Sequence, residues 1–102
     1  MKYNKLVRDK IPAIMESQGQ TPETMILDQT HYTYFLEAKL DEETAEFHKE
    51  KNLEELADIL EVVYALAENL GKSREELQEV YEKKHQERGG FRDRIFLISN
   101  EG

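Results

Sequence analysis

The stretch KLDEETAEFHKEKNLEELADIL, Lys39 to Leu60, decides the fold, because it holds the end of one helix, a short connection and the start of another. Turning about 100° per residue, Tyr32, Leu36, Leu40 and Phe47 fall on one stripe, which is the face expected to meet a core. Glu43 lies in the middle of that stripe, Glu46 at its edge and Asp41 on the opposite side. After the connection, Leu53, Leu56, Leu60, Val63, Ala67 and Leu70 make the main apolar face of the second helix, while Glu54, Glu61 and Glu68 recur on its far side as solvated positions. Glu55 and Asp58 share a flank with Val62, Ala65 and Leu66, where contact with another helix is expected.

The numbering carries a symmetry. The midpoint of Glu46 and Glu55 coincides with that of Glu43 and Asp58, and both fall at the Glu50 to Lys51 connection. In an αα-hairpin the two pairs therefore sit at matching heights, each with its members one turn apart on one helix face. A carboxylate among apolar neighbours is costly unless compensated. Four converging ones would raise one another's pKa values, so a cation resolves the repulsion economically. Oxygen-only donors select a hard ion, Mg²⁺ or Mn²⁺. The competing reading is a solvated face laced with pairs such as Lys39 with Glu43, which is the usual fate of ExxE spacings in an acid-rich chain.

Around this hairpin the punctuation is helical. Asp28 is placed to cap a long helix running to about Lys49, Asn52 to cap the next, and Gly71 to close it in a left-handed conformation. Ser73 and Glu76 form a capping box that opens a last helix, which runs to about Arg88 before Gly89 and Gly90. Upstream, Asp9 to Ser17 reads as a short helix, with Pro12 tolerated in its first turn and SQGQTP stopping it. Thr24 to Leu27 and Arg94 to Ser99 read as short strands, expected to pair in a two-stranded ribbon near 24–27 and 94–99. The expected fold is all-α, an antiparallel helical bundle forming a single domain over residues 1–102.

With 14 basic and 22 acidic residues and a net charge of −8, the chain lacks the positive field that a general nucleic-acid binder needs. It has no cysteine, which excludes disulfides and thiolate metal sites. Neither a signal-peptide pattern nor a membrane-length apolar run is present, so no membrane partner is expected and a cytoplasmic location is.

The form KLDEETAEF…EELADIL, with EExxE on one helix and ExxD on the next, resembles the all-α nucleoside triphosphate pyrophosphohydrolases of the MazG type and the related phosphoribosyl-ATP pyrophosphohydrolases. The start YNKLVRDKIP and the tail KKHQERGGFRDRIFL resemble the small single-domain branch described as phosphoribosyl-ATP pyrophosphohydrolase-like. The resemblance implies a helical homodimer or homotetramer, with Mg²⁺ held by the residues matching Glu43, Glu46, Glu55 and Asp58. It also implies hydrolysis of a nucleotide between its α- and β-phosphates, giving a monophosphate and pyrophosphate. Water activated by the metal would attack phosphorus, and Glu42 or one of the ligands, Glu43 or Glu46 among them, would accept its proton. Two-domain members of the MazG type double this module, and this chain does not.

Candidates for phosphate or base contacts are Lys5, Arg8 and Lys39, together with Lys84 and Arg88 near the end of the last helix. Basic residues in a last turn are also expected from the helix macrodipole alone. His31, His48 and His85 show no shared metal spacing. The expected activity is house-cleaning of a non-standard nucleotide. The alternatives are a nucleotide-binding or regulatory helical module without turnover, and a plain helical dimerisation domain with solvated acids.

Overall fold

The computed structural model describes residues 3–102, and among them it is helical with no strand. The helices are α1 (Ile11–Ser17), α2 (Gln29–Glu50), α3 (Leu53–Asn69) and α4 (Arg74–Arg88). The expected caps are in place. The Asp28 carboxylate accepts from the His31 amide at 2.9 Å, and the Asn52 side-chain oxygen from the Glu55 amide at 2.9 Å. At α4, Ser73 Oγ accepts from the Glu76 amide at 3.0 Å while Glu76 Oε1 accepts from the Ser73 amide at 3.4 Å. Each side-chain oxygen satisfies a helix-start donor that has no partner inside the helix.

Gly71 adopts φ 81°, and behind it the Lys72 amide reaches back to the Ala67 carbonyl at 3.0 Å, the Schellman closure of α3. The turn from α2 to α3 is tighter. Lys51 takes the left-handed position with φ 45° and its amide donates to the Phe47 carbonyl at 2.8 Å, so Asn52 can start α3 at once.

This turn makes α2 and α3 an antiparallel hairpin. At its far end Gln29 Nε2 donates to Asn69 Oδ1 at 2.6 Å and Asn69 Nδ2 to Thr33 Oγ1 at 2.9 Å, tying the start of α2 to the end of α3. Between the two ends, Leu36 of α2 and Val62 of α3 are buried, and Tyr32 and Leu40 are half-buried beside them. Contact runs along the flank of α3 that carries Val62, Ala65 and Leu66. The heptad face behaves differently from its sequence expectation: Ala67 is buried, but Leu53, Leu56 and Leu60 are 78%, 45% and 46% exposed. Among the described residues the stripe is left partly open at both ends, since Leu70 is 79% exposed as well, and every residue from Gln78 onward is exposed.

Two further expectations are corrected. α1 starts at Ile11, two residues later than the Asp9 start, with the Ile11 amide bonded to the Arg8 carbonyl at 3.0 Å. The ribbon is absent among the described residues: 24–27 and 94–99 are non-helical but unpaired, and Met25, Ile26 and Ile95 to Ile98 are exposed. Two isolated strands are marginal without a third strand or a packed face to support them, and one chain offers neither segment such support.

Candidate metal centre

α2 and α3 bring three of the four expected acids together. Glu43, Glu55 and Asp58 each place one carboxylate oxygen within 4.8 Å of the other two. Ligand oxygens of an octahedral Mg²⁺, at roughly 2.1 Å from the ion, lie about 3 to 4 Å apart, so small side-chain rotations bring these three into coordination range. All three are partly shielded from solvent, Glu43 with 12% of its side chain exposed and Asp58 with 41%. The Asn52 cap fixes the first turn of α3 and hence the height of Glu55.

Glu46 stands outside the trio. Its half-exposed carboxylate lies 4.0 Å from Lys49 Nζ. It still contributes to the field of the site, as the behaviour of Glu55 shows. Burial raises the Glu55 pKa above the ordinary 4.5, and the charges of Asp58, Glu46, Glu43 and Glu50 push it further in the same direction. Among the described residues no cation lies within ion-pair distance of Glu55.

The other two acids already have counter-ions, which qualifies the expectation that a divalent ion alone makes the cluster tolerable. Lys39 Nζ sits 3.3 Å from Glu43 and 3.3 Å from Glu42. Arg8 Nη2 reaches across 50 positions of sequence to Asp58 at 2.8 Å, and Lys5 Nζ reaches Glu42 at 3.0 Å. Burial pushes Glu42 upward, but the Lys5 hydrogen bond and the charge and hydrogen bond of Lys39 outweigh it and leave its pKa lowered. A carboxylate with a lowered pKa is a weak proton acceptor, so the geometry favours Glu42 as a holder of two lysines over Glu42 as a general base.

Arg8 and Lys5 belong to an N-terminal segment that lies over the hairpin and roofs a groove of about 670 Å³. Lys39, Glu43, Asp58 and Arg8 line one part of the groove, and Tyr32 and Ala65 are among the less polar residues of another. Glu61 and Glu68, read from the sequence as solvated, also line the groove, and its apolar wall from Leu6, Val7, Ile11 and Ile14 was not legible, because a short helix with little periodicity gives no sign of which way it faces. Lys84 and Arg88 are elsewhere: both lie on the exposed second half of α4, and a single chain does not bring them to the trio.

Part of the chain has a detectable relative. Over 41 residues it is 49% identical to an uncharacterized protein of Mycolicibacterium smegmatis (strain ATCC 700084 / mc(2)155), a stretch that is 40% of this chain and 42% of that protein. The match thus spans less than half of the relative's length. No family model matches the chain, and no solved structure is similar to it. Among the described residues no helix is long and apolar enough to cross a membrane.

Proposed function

We propose that the chain is a Mg²⁺-dependent nucleotide pyrophosphohydrolase of the MazG-like kind, cleaving a nucleoside triphosphate or a phosphoribosyl-ATP-like substrate to a monophosphate and pyrophosphate. The observation that carries the reading is the convergence of Glu43, Glu55 and Asp58 at the edge of a groove that also holds Lys39, Arg8 and an apolar wall. The donor set fits a hard divalent ion: three carboxylates, one of them with a raised pKa and no cationic neighbour among the described residues. When bound, such an ion would polarise phosphoryl oxygens and increase the nucleophilicity of water.

The chain's own groups supply the rest. Lys39 and Arg8 neutralise carboxylates in the absence of substrate, and both are free to turn a donor toward a phosphate once an ion takes over Glu43 and Asp58. Lys5 and Lys39 hold Glu42 ionised beside them. The apolar wall and the ring of Tyr32 offer a face for a nucleobase, and the groove volume lies within the range of small-ligand pockets. Overall, one water adds across a P–O–P bond: its oxygen becomes part of the monophosphate, and the anhydride oxygen leaves on pyrophosphate. Glu46 joins the site as a fourth ligand or as the group that accepts the water's proton. The active form is a homodimer or homotetramer in the cytoplasm.

The test is turnover of a broad nucleotide panel with Mg²⁺ followed by ³¹P NMR. Monophosphate and pyrophosphate are expected in equal amounts. Absence of pyrophosphate from every member, or orthophosphate as the first product, overturns the reading. One observation favours a non-hydrolytic nucleotide-binding module as the second reading: Lys39 and Arg8 already neutralise two of the three acids, so the cluster can be stable without an ion. Nucleotide binding in the groove with no turnover would select it.

A further inference from the structure

The surface of the chain is too large for a self-sufficient domain. A compact 12.0 kDa monomer exposes about 6,000 Å², whereas this chain exposes 9612 Å². Its radius of gyration is 17.9 Å, against about 13 Å for a compact chain of this length. The excess of about 3,600 Å² for one chain is more than one partner's share of a permanent homo-oligomer interface, about 1,000 to 2,500 Å². Three buried apolar side chains, Leu36, Val62 and Ala67, are a small core to set against the conformational entropy of the whole chain.

Beyond Met25, Ile26, Leu70 and several single side chains, two places carry uncovered apolar surface. One is the Leu53, Leu56 and Leu60 stripe of α3. The other is the segment after α4, where Gly89 ends the helix, a turn from Phe91 to Arg94 redirects the chain, and Ile95, Phe96, Leu97 and Ile98 follow outside any helix with at least 75% of each exposed. In a docked extended segment alternating side chains point to opposite sides, so four consecutive apolar residues suit burial between two surfaces. Because α4 leaves α3 beside the turn, its tip carries the segment away from the body of its own chain, the arrangement from which segments are exchanged between copies.

We propose that the segment Phe91 to Ile98 is an exchange arm, and that its docking site is the Leu53, Leu56 and Leu60 stripe of a second copy of this chain. The lengths agree: Leu53 to Leu60 spans about 10 Å of helix, and Ile95 to Ile98 about 10 Å of extended chain. The inference stands on the uncovered surface and holds whether or not the trio hydrolyses a nucleotide. It also gives the docking a consequence, because the stripe shares α3 with Glu55 and Asp58 and its burial would steady the helix that carries them.

Two variants of the full chain test it by sedimentation velocity at micromolar concentrations, one altered in the stripe (Leu56→Glu with Leu60→Glu) and one in the arm (Phe96→Glu with Ile98→Glu). The wild type is expected to be oligomeric and each variant to associate on the order of 100-fold more weakly. Mixing the two variants restores one intact arm-to-stripe contact per pair, so the mixture is expected to reassociate while neither component does. A folded, monomeric wild type, variants that leave the assembly unchanged, or a mixture that stays monomeric would each overturn the proposal. Because the chain has no cysteine, a second measurement is independent of how well the glutamate variants fold. A Leu60→Cys chain mixed with a Leu97→Cys chain is expected to give a covalent heterodimer on mild oxidation, and its absence counts against the arm.

Discussion

Replacing Glu55 by glutamine separates two roles of the acidic trio. In the absence of metal the Glu55 carboxylate is partly desolvated and repelled by Asp58, Glu46, Glu43 and Glu50, so neutralising it is expected to leave the metal-free protein as stable as the wild type or more so. With metal the sign reverses. A divalent ion present at about ten times its dissociation constant stabilises the folded state by roughly 1.4 kcal/mol. For a chain of this size that raises Tm by about 6 to 11 °C. Glu55→Gln removes one of three anionic donors and the only one without a cationic neighbour among the described residues, so most of that rise should vanish. The assay is thermal unfolding followed by circular dichroism at fixed protein concentration, with and without Mg²⁺. A variant that keeps the full Mg²⁺-induced rise, or one much less stable than the wild type without metal, would refute the reasoning.

The metal-free protein should also respond to pH through the same groups. The folded-state pKa of Glu55 is raised, so the stability it contributes is complete below the ordinary glutamate value of 4.5 and is lost as pH rises through the folded value. Glu42, whose pKa is lowered, contributes stability that is present above 4.5 and is lost as pH falls through its folded value. Glu55→Gln should therefore flatten the decline on the alkaline side of 4.5 and Glu42→Gln the decline on the acid side, in urea titrations across pH. Lys39→Met removes a cation that competes for Glu43, so Mg²⁺ affinity measured by calorimetry is expected to rise severalfold while KM for the nucleotide rises as well. Lys51→Gly puts the favoured residue at a left-handed position with φ 45° and should stabilise the hairpin by up to about 1 kcal/mol in denaturant unfolding. Leu36→Ala, in contrast, is expected to cost about 2 to 5 kcal/mol in the same assay.

The sequence was most legible where local chemistry and long-range geometry coincide. Asp28, Asn52, Ser73 and Gly71 mark helix ends with side chains or a backbone freedom that act within a few residues, and each does so in the structure. The mirrored spacing of Glu43 and Asp58 about the turn translated directly into proximity, because an αα-hairpin with a short connection leaves little freedom of register. Glu46 fell outside the trio although its spacing with Glu55 is equally symmetric, since its half-exposed side chain lies toward Lys49 on its own helix. The pairing of Arg8 with Asp58 had no local signature, being set by how an irregular segment drapes over the hairpin. The strands misled for a related reason: the apolar run at 94–99 records a burial that a single chain does not provide. The same holds for Leu53, Leu56 and Leu60, whose spacing reports an apolar face but not whose surface covers it.

The most direct measurement of the central claim is a Mn²⁺ titration followed by electron paramagnetic resonance, using the wild type and Asp58→Asn. The account expects one site per chain that silences the free-ion signal in the wild type, is displaced by excess Mg²⁺, and is largely lost in the variant. Binding of Mn²⁺ that is equally strong in Asp58→Asn, or no binding by the wild type at millimolar ion, would contradict it.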